Sequence, residues 1–306
     1  MSRSRALLVL HGKQALNEDL RAAVVEWRGL GHELAVRVTW EPGDAQRLVQ
    51  EALQAGYRTL VAGGGDGTLR EVAHALLESG VDASLALMPL GTANDFAHAA
   101  EISLEPFDAL ALLEHEPVAV DVGLMNGEPF LNMATGGFGS KVTASTSEEL
   151  KKVLGGGAYL LTGLSRFSEM TSAWGRFTGP DFSWEGEFLA LGVGNGKQSG
   201  GGQSLCPDAL IDDGLLDVCI VPAATDAVGT LGTLLSGGLR GIKTVSVNAR
   251  VPWLEVEAPE RIDINLDGEP AGARHMRFDV RPGAIRLHLP LECPLLKEGA
   301  LAAQAE

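Results

Sequence analysis

The 306-residue chain is 45% apolar and carries 24 Lys and Arg against 40 Asp and Glu, a formal net charge of −16. That length accommodates two domains of about 150 residues. So acidic a surface repels phosphate backbones at long range, which argues against a nucleic-acid partner; an anionic ligand would need local help from backbone amides, basic side chains or a metal ion.

Along the chain, Arg5 to Leu10 reads as a buried strand, and Asn17 to Leu30 as a helix with Leu20, Ala23, Val24 and Trp27 on one face, stopped by Gly29 and Gly31. Leu34 to Trp40 is a second strand. Pro42-Gly43-Asp44 turns the chain and caps a helix reaching Gly56, and Thr59 to Ala62 is a third strand. This alternation predicts an α/β N-terminal domain: a doubly wound parallel sheet, with ligands bound off the carboxyl ends of its strands.

The third strand runs into Gly63-Gly64-Gly65-Asp66-Gly67-Thr68. Glycines let a backbone approach a polyphosphate closely and aim its amides at it. The next helix, with a Thr68/Glu71 capping box and a buried stripe of Leu69, Val72, Ala73, Leu76 and Leu77, adds the positive end of its dipole. Asp66 would repel phosphate unless a cation intervenes, so it points to magnesium, water or a substrate hydroxyl. A tight turn without a ligand is the alternative. Leu85 to Met88 then leads to Pro89-Leu90-Gly91-Thr92-Ala93-Asn94-Asp95-Phe96, a second strand-to-helix loop beside the first, in which Asn94 or Asp95 is expected to cap the next helix. No GxxxxGK[ST] loop and no protein-kinase catalytic-loop or DFG sequence is present.

From about Pro117 the pattern changes to many short strands, as in Arg261 to Asp267, with helical segments near Ser147 to Met170 and Thr225 to Leu239. A β-rich, sandwich-like second domain is expected, over 126–283, with 284–306 returning to complete the first domain of 1–125. Within Pro207 to Val221, Asp212, Asp213 and Asp217 lie around Gly214; hard oxygen ligands on such a turn suit magnesium or calcium, and a turn opening a hairpin is the alternative. At Leu266-Asp267-Gly268-Glu269 an extended backbone would point Asp267 and Glu269 to one side, where a carboxylate could take a hydroxyl proton; the alternative is an acidic hairpin tip. Cys206, Cys219 and Cys293 form no CxxC pair, and Ala223 to Leu239 is too polar for a membrane span, so a cytoplasmic protein is expected.

Taken in order, GGGDGT, PLGTANDFA, GGGQSLCPDALIDDGLLDV and NLDGEP resemble the diacylglycerol-kinase catalytic-domain family, in its bacterial YegS-like lipid kinase branch. The resemblance implies an ATP-dependent lipid kinase, with ATP contacts from Thr39, from Gly65, Asp66, Gly67, Thr68, Leu69, Arg70 and Glu71, and from Thr92. It implies magnesium held by the Asp213 carboxylate and the carbonyls of Leu210 and Leu215, with Glu269 as general base and Asp267 and Asp66 in reserve. Arg70 stands where the family pattern has Asn; it either touches phosphate or is neutralised by Glu71 or another nearby acid. Lys151, Lys152, Tyr159, Leu160, Leu161 and Arg166 mix basic and apolar character that could rest transiently on a membrane surface, placing the protein at the inner face. Two other functions remain: a kinase for a soluble hydroxyl, as in NAD kinase, and a non-catalytic nucleotide or lipid sensor.

Overall fold

The computed structural model describes residues 4–136, 172–198, 204–223 and 246–298. The chain divides into two compact units, Met1–Asp121 with Pro282–Glu306, and Val122–Arg281.

The first unit alternates β1 (Arg5–Leu10), α1 (Glu18–Gly29), β2 (Glu33–Val38), α2 (Asp44–Gln54), β3 (Thr59–Gly64), α3 (Asp66–Ser79) and β4 (Ser84–Pro89). Two short helices follow, α4 (Asp95–Ala99) and α5 (Pro106–Ala111). The strands lie in the order β2-β1-β3-β4, each pair parallel. Arg286 and Leu287 near the end of the chain's last strand pair parallel with Ser84 and Leu85. Ala6, Leu8 and Leu10 of β1 share one core with Leu20, Ala23, Val24 and Trp27 of α1 and Ala109 and Leu110 of α5. The intervening Leu7 and Val9 are also buried and, by the period of two, point to the opposite face. Helices α2 and α3 pack on each other, and against β1 and β3 respectively.

Local chemistry sets the helix ends. Asn17 accepts the Leu20 N–H at 3.0 Å and starts α1. Ahead of α2, Asp44 accepts the N–H groups of Trp40 (2.6 Å) and Glu41 (3.1 Å), and the Arg47 guanidinium beside it, with those amides, holds its pKa at about 2. Helix α3 corrects one expectation: it begins at Asp66, so the Thr68/Glu71 capping box does not form. Thr68 is the helix's third residue and lies buried under Gly64, where any Cβ would collide with its side chain.

The second unit is built from strands. After β5 (Val118–Met125), which enters it from the first unit, come β6 (Glu128–Phe130), β7 (Met133–Gly136), β8 (Ala173–Gly179), β9 (Phe182–Gly194), β10 (Leu216–Pro222), β11 (Val247–Val251), β12 (Trp253–Leu266) and β13 (Glu269–Leu287). The order β11-β10-β9-β7-β12-β13 is antiparallel throughout, and β8 pairs with both β9 and β12. Several strands are longer than the sequence pattern predicts: Phe182, Trp184 and Phe188 lie on a single strand of 13 residues. Phe130, Phe177, Phe188, Leu254, Met276 and Phe278 are fully buried in one apolar core. On β10, Leu216, Val218 and Ile220 face that core while Cys219 and Val221 face a smaller one with Met133 and Cys206, so apolar contacts cover both faces of the strand. The helical stretches expected near 147–170 and 225–239, and the basic-apolar set from Lys151 to Arg166, lie outside the described residues.

Candidate functional site

In the first unit, parallel pairing brings the carboxyl ends of β1 to β4 to one edge of the sheet, and the loops leaving that edge are tied together. The His11 N–H donates to the Gly63 carbonyl at 2.8 Å, the Leu90 N–H to the Gly64 carbonyl at 2.8 Å, and Gln14 Nε2 to the Leu90 carbonyl at 2.6 Å. Thr39 sits just beyond β2. Its N–H donates to the Leu10 carbonyl at 2.9 Å, and its hydroxyl accepts the Gly12 N–H at 3.3 Å. Gly65 and Gly91 meet backbone to backbone. A Cβ on Gly91 would lie 2.5 Å from the Gly65 Cα, and one on Gly65 would lie 3.2 Å from the Gly91 Cα. The glycine turn and the Thr92 loop can therefore approach only because neither position carries a side chain.

The Asp66 carboxylate spans the two loops. Oδ2 accepts the Asp95 N–H at 3.0 Å and Oδ1 the Phe96 N–H at 2.8 Å, so a residue of the first loop supplies the cap of α4. This corrects the expectation that Asn94 or Asp95 does so. Asn94 turns back instead, its Oδ1 accepting the Gly91 N–H and its Nδ2 donating to the Gly91 carbonyl, each at 2.9 Å. Burial pushes the Asp66 carboxyl above the ordinary carboxylate range, against the pull of the two amides.

The remaining nucleotide candidates divide by exposure. Thr92 is exposed at its loop tip, Arg70 and Gly67 are half-buried, and Glu71 is exposed. Leu69 faces the core and its N–H already donates to the Gly65 carbonyl at 3.1 Å, which makes it a support for the turn. The N–H groups of Gly67 and Thr68, in the first turn of α3, have no intrahelical carbonyl to reach, while that of Asp66 bonds its own carboxylate.

In the second unit, Asp267 and Gly268 form a two-residue hairpin between β12 and β13, with φ of 48° and 101°, and Leu266 opposite Glu269. The extended backbone that would align Asp267 with Glu269 is therefore absent. Asp267 turns inward, is 7% exposed, and accepts three backbone N–H groups, from Leu131 (2.6 Å), Asn132 (3.0 Å) and Met133 (2.9 Å). Glu269 opens the next strand, exposed to solvent. Asn195 joins the same cluster, its Nδ2 donating to the Leu131 carbonyl at 2.8 Å.

The aspartate turn lies at the same end of that sheet. Asp213 Oδ1 accepts the Leu215 N–H at 2.9 Å, with the intervening Gly214 at φ 75°. Asp213 Oδ2 pairs with Arg250 Nη2, and Arg250 Nε reaches Asp217 Oδ2 at 3.2 Å. Burial raises the Asp217 carboxyl while Arg250 opposes the shift. Among the described residues no three His, Cys, Asp or Glu side chains converge as metal ligands, so a cation at this turn would rest on one carboxylate and on carbonyls such as those of Leu210 and Leu215. The donor chemistry fits a hard cation: Asp213 directs one buried carboxylate oxygen at a positive charge already. Across the sheet, Asp217 pairs with Gly194, Gly194 with Met133, Ala134 with Leu266, and Leu266 with Glu269. Three strand spacings of about 4.8 Å therefore separate Asp217, four residues beyond Asp213, from Leu266 at the foot of the Asp267 hairpin, about 14 Å.

Sequence reasoning missed Gln14, Asn195 and Arg250. Gln14 and Asn195 bond loop backbones that only the sheet registers bring near, and Arg250 lies 37 residues beyond the aspartate it pairs with.

Residues 5–125 match the model of the diacylglycerol kinase catalytic domain, and residues 136–289 that of the YegS C-terminal NAD kinase beta sandwich-like domain. A Pseudomonas aeruginosa protein named "Probable lipid kinase YegS-like" is 67% identical over 298 residues, covering 97% of this chain and 98% of that one. A Pseudomonas syringae pv. syringae protein of the same name is 62% identical over 296 residues, 97% of each. A crystal structure of a diacylglycerol kinase from Bacillus anthracis str. Sterne shares the fold, with a TM-score of 0.72 at 22% identity, covering 95% of this chain and 98% of that one. The chain belongs to the YegS-like lipid kinase family. As a kinase of that family it implies ATP and a lipid as substrates. Among the described residues, no helix is long and apolar enough to cross a membrane.

Proposed function

We propose that this protein transfers the γ-phosphate of ATP to a lipid hydroxyl, a diacylglycerol-like or phospholipid headgroup alcohol. The observation that carries the reading is the pair of loops joined at Gly65 and Gly91, which leaves the first-turn amides of α3 beside an exposed Thr92. In this reading residues 1–125, completed by 284–306, bind the nucleotide, and 126–283 supply the acceptor chemistry. The amides from Gly65 to Thr68 hold phosphate, Thr39 and Thr92 contact the nucleotide, and Asp66 keeps the two loops in register. Glu269 takes the proton of the acceptor hydroxyl. Asp267 already holds three amides, which favours Glu269 over it as the base. A magnesium or calcium ion would rest on the Asp213 carboxylate and the carbonyls of Leu210 and Leu215, where it would order the aspartate turn. The protein would work in the cytoplasm and meet its lipid at the inner membrane face.

Pure protein incubated with γ-labelled ATP, magnesium and a panel of lipid alcohols, sugars and NAD should label a lipid. Label confined to a soluble acceptor would replace the lipid reading, and no label in the presence of tight ATP binding would point to a sensor.

Arg70, in the first turns of α3, is read as a phosphate contact. Arg70→Asn should weaken ATP binding by about fivefold, the scale of one partly exposed charge-assisted contact, as measured by calorimetry. Unchanged ATP affinity would assign Arg70 to neutralisation by a neighbouring acid instead.

A further inference from the structure

We infer that Arg250 is a built-in counter-ion of the aspartate turn, competing with a divalent cation for one oxygen of Asp213. The inference rests on the cation site proposed above and adds what regulates it. The Asp213 side chain is 6% exposed, and a carboxylate so deeply buried needs a positive partner. Its Oδ1 is committed to the Leu215 N–H, which closes the turn. Arg250 Nη2 sits on the other oxygen, Oδ2, where an incoming cation would meet it. A hard cation and the guanidinium therefore cannot both take that oxygen in full.

Arg250 is placed to let go. Its Nε holds Asp217 Oδ2 at 3.2 Å, so it keeps an anionic partner after leaving Asp213. Its own side chain is 44% exposed, so the guanidinium can move toward water at small desolvation cost. It stands on β11, whose backbone is fixed by pairing with β10, Arg250 opposite Asp217. The exchange thus needs a side-chain movement alone. Two carboxylates sharing one guanidinium also leave the pair net negative, which favours entry of a second positive charge.

The consequence is that the turn is ordered with or without metal: by Arg250 when the cation is absent, and by the cation with Arg250 withdrawn to Asp217 when it is present. Manganese binding to the full chain, followed by electron paramagnetic resonance, tests this without reference to turnover. Arg250→Gln should bind manganese about five- to tenfold more tightly than wild type, the factor set by losing a half-exposed competing ion pair. Its melting temperature in chelator should fall below that of wild type and recover on adding manganese, with a smaller rise for wild type. Arg250→Lys, which keeps the charge with a single point of contact, should fall between the two and serves if the glutamine variant does not fold. Equal or weaker manganese binding in Arg250→Gln and Arg250→Lys, with binding still lost in Asp213→Asn, would overturn the competition and leave the cation site standing. Manganese affinity identical in all variants, Asp213→Asn included, would remove the cation site and the competition together.

Discussion

Asp267→Ala should lower the stability of the second unit by roughly 3–5 kcal/mol, because three backbone N–H groups lose a charged acceptor. Those of Leu131, Asn132 and Met133 lie at 2.6 to 3.0 Å from a carboxylate that is 7% exposed. Asp267→Asn, which keeps one oxygen, should lose less. Urea unfolding followed by near-ultraviolet circular dichroism gives the difference directly. A loss below about 1 kcal/mol in the alanine variant would mean that the three amides find other partners. Such a fall also separates a structural from a chemical defect: activity lost in Asp267→Ala would follow the folded fraction.

Glu269→Gln is expected to behave in the opposite way. The side chain is exposed at the first residue of β13 and no core packing depends on it, so stability should change by no more than about 0.5 kcal/mol. If it accepts the hydroxyl proton, kcat should fall by about 10²–10⁴, with ATP affinity unchanged. The glutamine is similar in size and cannot act as the base. Wild-type turnover in Glu269→Gln would move the proton acceptor elsewhere, whereas lost turnover at unchanged stability would show that the defect is not one of folding.

The first unit was legible in the sequence because its elements obey local rules. The α1 stripe of Leu20, Ala23, Val24 and Trp27 has the helical period, and Asn17 caps it as its position predicts. Residue type also located the glycine turn and the Thr92 loop. What residue type does not encode is which donor meets which acceptor across the fold. The sequence offers Thr68 and Glu71 as a capping box, yet the glycines let α3 start three residues earlier, and Thr68 is buried. Asn94 occupies a capping position with the wrong backbone, φ 49°, and the cap comes from Asp66, far back in the chain. In the second unit the dipeptide Asp267-Gly268 is a strong hairpin signal, and it overrides the extended reading that placed Asp267 beside Glu269. Arg250 had no sequence signal, since its pairing with the acids depends on the register of β10 against β11.

The contact of Gly65 with Gly91 has a consequence for how the family can vary. Main-chain contact sets how closely the two loops approach, and the Asp66 carboxylate ties them at that distance. Positions 70 and 92 take no part in that contact, so a substitution at either can change what the loops bind without moving the frame that surrounds it. The two glycines are not equal in this: a Cβ at Gly91 would lie 2.5 Å from the Gly65 Cα and wedge the loops apart, while one at Gly65, at 3.2 Å, would ask for a shift of a few tenths of an ångström. Innovation at this edge of the sheet is therefore confined to what hangs from the frame.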